Sequence, residues 1–336
     1  MRFVLYVAAV NLVYIAAILL DRIGGEPLAD GWVLVPYTLS YLNGFVKRGL
    51  PGTLFDLLNL QPTPFAVAVV YTLALEAFAV LFYLFVVRNA RDNPLLPYML
   101  ILFVLSPATF FHMGDDVGRT DVYLLLLFIL SFMRPRLSPV FTALAVLIHE
   151  GYALLAMPSV VGYLFLKGRK TIAIVNGVVG VTVAILTATI GRLGPEGTFI
   201  YSSILKDTDP LRPLIFSPLE NTVYFYRKFF LNPDTLPVLL LGFVSAILLF
   251  SLYYVLFLRT VRGPLPYRLL PLTPLLMFLF GIDYFRWVSF GTVVMALWWV
   301  ILSHEFGTAK PRKLNRLVYL LSLLALPAEV LKEILT

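Results

Sequence analysis

Residues 64–87 read PFAVAVVYTLALEAFAVLFYLFVV, a stretch whose one charged residue is Glu76. A helix of this length rises about 36 Å, which exceeds the roughly 30 Å hydrocarbon core of a bilayer. Apolar stretches of the same kind recur along the whole chain, at 3–20, 95–111, 118–133, 171–190, 236–258, 287–303 and 314–333. The sequence therefore predicts an all-α, polytopic integral membrane protein.

Composition supports this class. Of the 336 residues, 60% are hydrophobic and 13% are charged, which excludes an ordinary soluble domain. No long polar stretch interrupts the chain, so we expect a single transmembrane domain over residues 1–336. The net charge of +7 fits basic cytoplasmic loops, and no nucleic-acid partner is expected. The absence of cysteine excludes disulfides and thiolate metal sites.

Two regions are harder to assign. Residues 137–166 lie between Arg134/Arg136 and the basic run 167–170. Because basic loops stay in the cytoplasm, the favoured path is out and back, as two short helices with residues 149–151 at the outer tip. One long tilted helix is the alternative. Residues 268–281 are expected to form a further short span, giving about eleven transmembrane helices in all.

Orientation by Lys and Arg places the N-terminus inside and the C-terminus outside. Two long outer loops result, at 21–63 and 191–235, and the first apolar run is expected to be retained as a helix. Most acidic residues then fall on the outer side, where mixed charges at a membrane surface indicate a functional site. The acidic residues singled out there are Glu26, Asp30, Asp115, Asp116, Asp121, Glu150 and Asp283.

The first motif lies in the loop 43–52, which reads NGFVKRGLPG. Glycines allow close backbone approach, and Lys47 and Arg48 can bind phosphate, Arg48 through two parallel hydrogen bonds. Asn43 and Gly44 begin the motif. The alternative is a surface loop whose cations touch lipid headgroups.

The second motif, at 112–121, reads HMGDDVGRTD. Asp115 and Arg119 are four residues apart and can share a helix face. The pair Asp115 and Asp116 could hold a divalent metal such as Mg²⁺ or Mn²⁺, or supply a general base. The alternative is a helix cap with Arg119 reaching to the surface. His112 and Asp121 flank the motif.

Two further motifs complete the set. His149-Glu150-Gly151-Tyr152 puts a carboxyl in an apolar recess, where a raised pKa would suit a proton acceptor. Asp283 and Arg286 lie three apart at a helix boundary. A local ion pair within an aromatic belt is the alternative for this last pair.

Together these motifs resemble a group of prokaryotic membrane proteins near the polysaccharide (O-antigen and capsule) polymerases and the GT-C glycosyltransferases. The resemblance rests on Gly44–Gly52, Gly118–Asp121, His149-Glu150 and Asp283–Trp287, short motifs that span most of the chain. It implies a GT-C-like fold and a glycosyltransferase that uses polyprenyl-linked sugar donors. The acidic metal-binding motif that is common in the first outer loop of GT-C enzymes has no clear counterpart here.

The expected function is transfer or polymerisation of a surface glycan at the extracytoplasmic face of the cell (inner) membrane. The donor would be a polyprenyl-phosphate or pyrophosphate sugar, the acceptor a glycan, and other glycan-assembly membrane proteins are possible partners. Phosphate binding falls to Lys47, Arg48, Arg119 and Arg286, and proton acceptance to one of Asp115, Asp116 or Glu150. Supporting residues are Asn43, Gly44, His112, Asp121, His149, Tyr152 and Asp283. The alternatives are a lipid-linked oligosaccharide flippase or transporter, and a scaffold in a glycan-export complex.

Overall fold

The computed structural model describes residues 2–23, 31–90, 93–193, 212–216, 218–233, 235–280 and 283–308. Within these residues every regular element is helical. The α-helices are α1 Arg2–Ile23, α2 Gly31–Thr38, α3 Leu50–Leu57, α4 Pro64–Ala90, α5 Leu96–Leu105, α6 His112–Asp115, α7 Asp121–Met133, α8 Ser138–Ile148, α9 Tyr152–Leu155, α10 Met157–Leu166, α11 Lys170–Thr189, α12 Arg212–Ile215, α13 Pro218–Phe230, α14 Leu236–Thr260, α15 Leu265–Leu269 and α16 Tyr284–Phe306.

Six of the described helices are long and apolar enough to cross a membrane, so the chain has the character of a membrane protein. They lie at Phe3–Asp21, Pro64–Ala90, Leu96–Asp115, Lys170–Thr189, Leu239–Thr260 and Tyr284–Phe306. Four shorter apolar helices of 10–17 residues accompany them. The expected span 314–333 lies outside the described residues, and the total of about eleven stays a prediction.

The chain forms two compact units that interleave along the sequence. The first contains Met1–Leu19, Ala79–Asp115 and Phe225–Thr336. Its central helix is α16, in which all residues from Tyr284 to Leu302 except Arg286 are buried. A helix that is apolar on every side must be covered on every side, so α16 is the core of this unit.

Two helices of this unit are irregular, and proline explains both. Pro107 has no backbone N–H, so α5 ends at Leu105 and the chain continues as a π-turn, with the Ser106 hydroxyl capping Ala108. Residues Leu270–Leu279 form a 3₁₀ helix that contains Pro271 and Pro274. The predicted span 95–111 is therefore helical but broken at Pro107, and most of the predicted span 268–281 has the tighter 3₁₀ geometry.

The second unit contains Leu20–Phe78 and Asp116–Tyr224. Helices α8 and α10 both pack along α11. A Cβ added to Gly180 of α11 would meet both Thr142 of α8 and Met157 of α10. In one continuous helix those two residues would lie about 22 Å apart, so the chain must reverse between them. The chain therefore forms two short helices that reverse at residues 149–151, and the side of the membrane on which this tip lies stays a prediction.

The first predicted outer loop is helical for much of its length. Helix α2 packs against α3, and a Cβ added to Gly52 of α3 would overlap the Leu39 carbonyl, directly after α2. Only glycine fits at that contact. This packing fixes the position of residues 44–49, which join the two helices.

Candidate functional site

The tip of the α8–α10 hairpin carries Glu150. Helix α8 ends because His149 adopts an extended backbone, with φ −158° and ψ 118°. The His149 Nδ1 then accepts the backbone N–H of Gly151 at 3.0 Å, which stabilises the reversal. The carboxylate is thereby held at the end of the hairpin on a defined turn.

Arg48 meets that carboxylate across two hydrogen bonds. Its Nε donates to Glu150 Oε2 at 3.1 Å and its Nη2 donates to Oε1 at 2.8 Å. The two side chains are 20% and 18% exposed, so solvent weakens the pair only in part. Arg48 also has φ +61°, a left-handed conformation that is uncommon outside glycine and that clusters at functional sites.

The expected raised pKa of Glu150 is wrong. Burial raises the pKa of this carboxyl, but the charge and hydrogen bonds of Arg48, together with the charges of His149 and Lys47, outweigh burial and hold the pKa well below its ordinary value. In this conformation Glu150 is an ionised counter-ion and a poor proton acceptor. The apolar surroundings of Glu150 are visible in the sequence, but its cation comes from a residue 102 positions away.

Lys47 is a buried residue and not an exposed phosphate ligand. Its side chain is 1% exposed, and its Nζ donates to the Phe216 carbonyl oxygen at 3.0 Å. Its backbone N–H donates to the Gly191 carbonyl oxygen. Burial lowers the pKa of the Lys47 ammonium. Lys47 therefore fastens the first outer region to two points of the second.

The glycines of this loop serve turns and packing. Gly44 has φ +115° and ends the 3₁₀ turn Tyr41–Asn43. Gly49 lies under the Tyr41 ring, and a Cβ added there would be 2.6 Å from a ring carbon. The Tyr41 hydroxyl donates to the Leu147 carbonyl oxygen at 3.1 Å, which ties the loop to α8. The Asn43 side chain lies outside what the structure describes.

The two predicted outer loops meet in this unit. Leu214 of α12 packs with Val35, Leu39 and Val46 of the first loop region. The Leu193 N–H donates to the Leu214 carbonyl oxygen at 3.0 Å. Residues 194–211, the middle of the second predicted loop, lie outside the described residues.

The acidic turn forms a second ion pair in the same unit. Asp116 accepts from Arg119 Nε at 3.3 Å, so Arg119 pairs at a spacing of three. Asp121 begins α7, and the Tyr37 hydroxyl of α2 donates to the Gly118 carbonyl oxygen at 2.7 Å. Helix α2 thus supports both this turn and, through Gly52, the loop of Arg48.

The described residues do not form a metal site at Asp115 and Asp116, the pair that could hold one. No group of three or more His, Cys, Asp or Glu that could hold a metal ion occurs in the described part of the chain. Asp116 is engaged by Arg119, and Asp115 belongs to α6. Glu26 and Asp30 lie outside the described residues.

The remaining motif residues lie in the first unit. Arg286 Nη1 donates to Asp283 Oδ2 at 3.3 Å, which is the local ion pair considered from the sequence. His112 is buried, and its ring packs edge-on against Phe285 with 5.3 Å between ring centroids. A single site that includes all four motifs stays a prediction.

Tyr41, Gly191 and Phe216 contribute to the site although the sequence does not predict them as site residues. Gly191 and Phe216 act through backbone carbonyls, which any residue carries. Tyr152, expected to support the site, is fully buried, and its hydroxyl lies near Ser131 and Thr142 in the helix core. Its contribution to the tip is packing.

Comparisons of this chain with protein-family models, with curated proteins and with solved structures find no match. The geometry of the Arg48–Glu150 site therefore carries the functional argument alone.

Proposed function

We propose that the protein is a membrane glycosyltransferase or glycan polymerase that takes its sugar from a polyprenyl-phosphate or polyprenyl-pyrophosphate donor. The site opens at the extracytoplasmic face of the cell membrane, where the acceptor is a growing surface glycan. The GT-C-like architecture expected from the motifs belongs to this proposal.

The observation that carries the proposal is the placement of Arg48. Nε and one N–H of Nη2 bind Glu150, and the three other N–H donors of the guanidinium have no partner among the described residues. Lys47, Tyr41 and α8 hold the loop rigidly around it. A preorganised, partly exposed guanidinium at a helix-hairpin tip is suited to a phosphate group that becomes more negative as a bond breaks.

The chemical step is a substitution at the anomeric carbon of the donor sugar. A hydroxyl oxygen of the acceptor glycan bonds to that carbon, and the bond from the carbon to the phosphate oxygen breaks. The electron pair leaves with the polyprenyl phosphate or pyrophosphate, which Arg48 stabilises with help from Arg119. The hydroxyl proton passes to a carboxylate of the same unit, which is Asp116 or Glu150.

One observation favours transport as a second candidate function. Helices are interrupted at Pro107–Phe111 and tightened to 3₁₀ geometry at Leu270–Leu279. Discontinuous helices build substrate sites in many transporters. A flippase for a lipid-linked oligosaccharide would use the same phosphate-binding cation without breaking a covalent bond.

The test is reconstitution of the purified protein with a panel of polyprenyl-linked sugar donors and glycan acceptors. Glycosyl transfer, detected as an acceptor longer by one sugar or more together with released polyprenyl phosphate, supports the proposal. Movement of intact donor across liposome bilayers without product supports the flippase. If the protein shows neither activity with any donor in the panel, both candidate functions are contradicted.

A further inference from the structure

Glu150 occupies the edge of the Arg48 guanidinium at which a phosphate would bind best. Carboxylates and phosphates both use the two-point contact that Nε and Nη2 provide. Glu150 already holds this edge at 3.1 Å and 2.8 Å. In the resting protein the most favourable anion position on Arg48 is therefore filled by the chain itself.

An anion that bound the opposite edge would lie beside a carboxylate. The pair is close to neutral as it stands, so it offers little attraction to a phosphate, and the charge of Glu150 would repel one. Displacement of Glu150 removes that repulsion and returns the better edge of Arg48 to the phosphate. The Glu150 side chain is 18% exposed and lies on a turn, so the ion pair is reached by solvent.

We propose that Glu150 is a displaceable counter-ion: a phosphate group of the lipid-linked donor replaces it on Arg48, and the released carboxylate becomes the proton acceptor for the attacking hydroxyl. This rests on the proposed function and chooses Glu150 over Asp116 as the base. The titratable and charged groups around the carboxyl are Arg48, His149, Lys47 and Tyr41.

Release changes the chemistry of the carboxyl in the required direction. With the phosphate in the place of Glu150 on Arg48, the charge that lowers the pKa of Glu150 most is compensated, while burial still raises the pKa. The base is thus weak in the empty protein and stronger once the donor is bound. The exchange couples donor binding to proton acceptance.

Binding of a polyprenyl phosphate to the purified protein tests the exchange. We expect Glu150→Gln to bind it about tenfold more tightly than wild type or better, because one charge-assisted contact no longer competes. Glu150→Asp keeps the charge but has a shorter side chain, so its affinity for the polyprenyl phosphate should lie between those of wild type and Glu150→Gln. Arg169→Ala, at the far end of α11, is the matched control and should bind as wild type does.

Transfer activity is the second measurement. Glu150→Gln should bind tightly yet transfer no sugar. If Arg48→Ala loses binding but Glu150→Gln and Glu150→Asp bind no more tightly than wild type, the exchange is wrong and the proposed function stands. If Arg48→Ala binds the lipid phosphate as wild type does, the proposed function fails and the exchange fails with it.

Discussion

The Arg48 guanidinium binds the Glu150 carboxylate in a two-point ion pair between residues 102 positions apart in the sequence. It joins the loop between α2 and α3 to the tip of the α8–α10 hairpin. Neither side chain is fully buried, and both lie on backbone turns. The pair is therefore placed to contribute both to stability and to substrate binding.

Its contribution to stability can be measured by a double-mutant cycle. Arg48→Ala should lower the free energy of unfolding by about 1.5–3 kcal/mol, because the partly buried Glu150 loses its charged partner. Glu150→Ala should lower it by a similar amount, and the double variant by less than the sum. Thermal unfolding of the purified protein measures the cycle, and strictly additive losses would show that the pair is not coupled.

Acid should remove the same contribution. The folded pKa of Glu150 lies below its ordinary value of 4.5, so the folded state binds the proton less readily than the unfolded state. The stabilisation is complete above pH 4.5 and is lost progressively as the pH falls below that value. The melting-temperature gap between wild type and Glu150→Gln should be constant from about pH 6 to about pH 7.5 and should narrow as the pH falls below 4.5. A gap that widens in acid would contradict the assignment.

Gly52 should be intolerant of substitution. A Cβ there would overlap backbone atoms of Leu39, which have little freedom to shift, so Gly52→Ala should destabilise the protein by about 1–3 kcal/mol or more. Gly177→Ala is the control, because its Cβ would meet only Val161 at an ordinary 3.8 Å. Comparable melting temperatures for the two variants would mean that α2 and α3 are not packed as described.

Helix α11 should separate the site from the basic turn at 167–170. Its 20 residues rise about 30 Å, and Gly191 beyond its end is hydrogen-bonded to Lys47. Because the chain has no cysteine, Phe45→Cys and Arg169→Cys can be labelled singly. We expect a membrane-impermeant thiol reagent to label position 45 in intact cells and position 169 only after permeabilisation. Labelling of both from outside would show that α11 does not separate them.

The sequence was informative where composition and periodicity decide the structure. Apolar length alone predicts the helices at 64–87 and 171–190, and the basic residues on both sides of 137–166 predict the hairpin. Short motifs also point to Arg48 and Glu150 separately. These inferences depend on local properties of the chain.

Tertiary contacts decided the rest. The ion pair of Arg48 and the burial of Lys47 depend on residues more than a hundred positions away. The inward direction of Tyr152 depends on how the neighbouring helices pack around it. The lowered pKa of Glu150 could not be predicted from its neighbours in the sequence, because the cation that lowers it comes from another element. Prolines that are visible in the sequence account for the irregular helices at 107–111 and 270–279. The sequence does not show whether the backbone there adopts π or 3₁₀ geometry.

The central claim is that Arg48 stabilises the phosphate that leaves a lipid-linked sugar donor. The most direct measurement is the rate of glycosyl transfer from a purified donor by wild type, Arg48→Ala and the control Arg169→Ala. Loss of one preorganised charge at a developing anion should slow transfer by about 10²–10³-fold in Arg48→Ala, with the control unchanged. Arg48→Lys should recover only part of the rate, because lysine cannot make the two-point contact. A folded Arg48→Ala variant that transfers sugar at the wild-type rate would contradict the account.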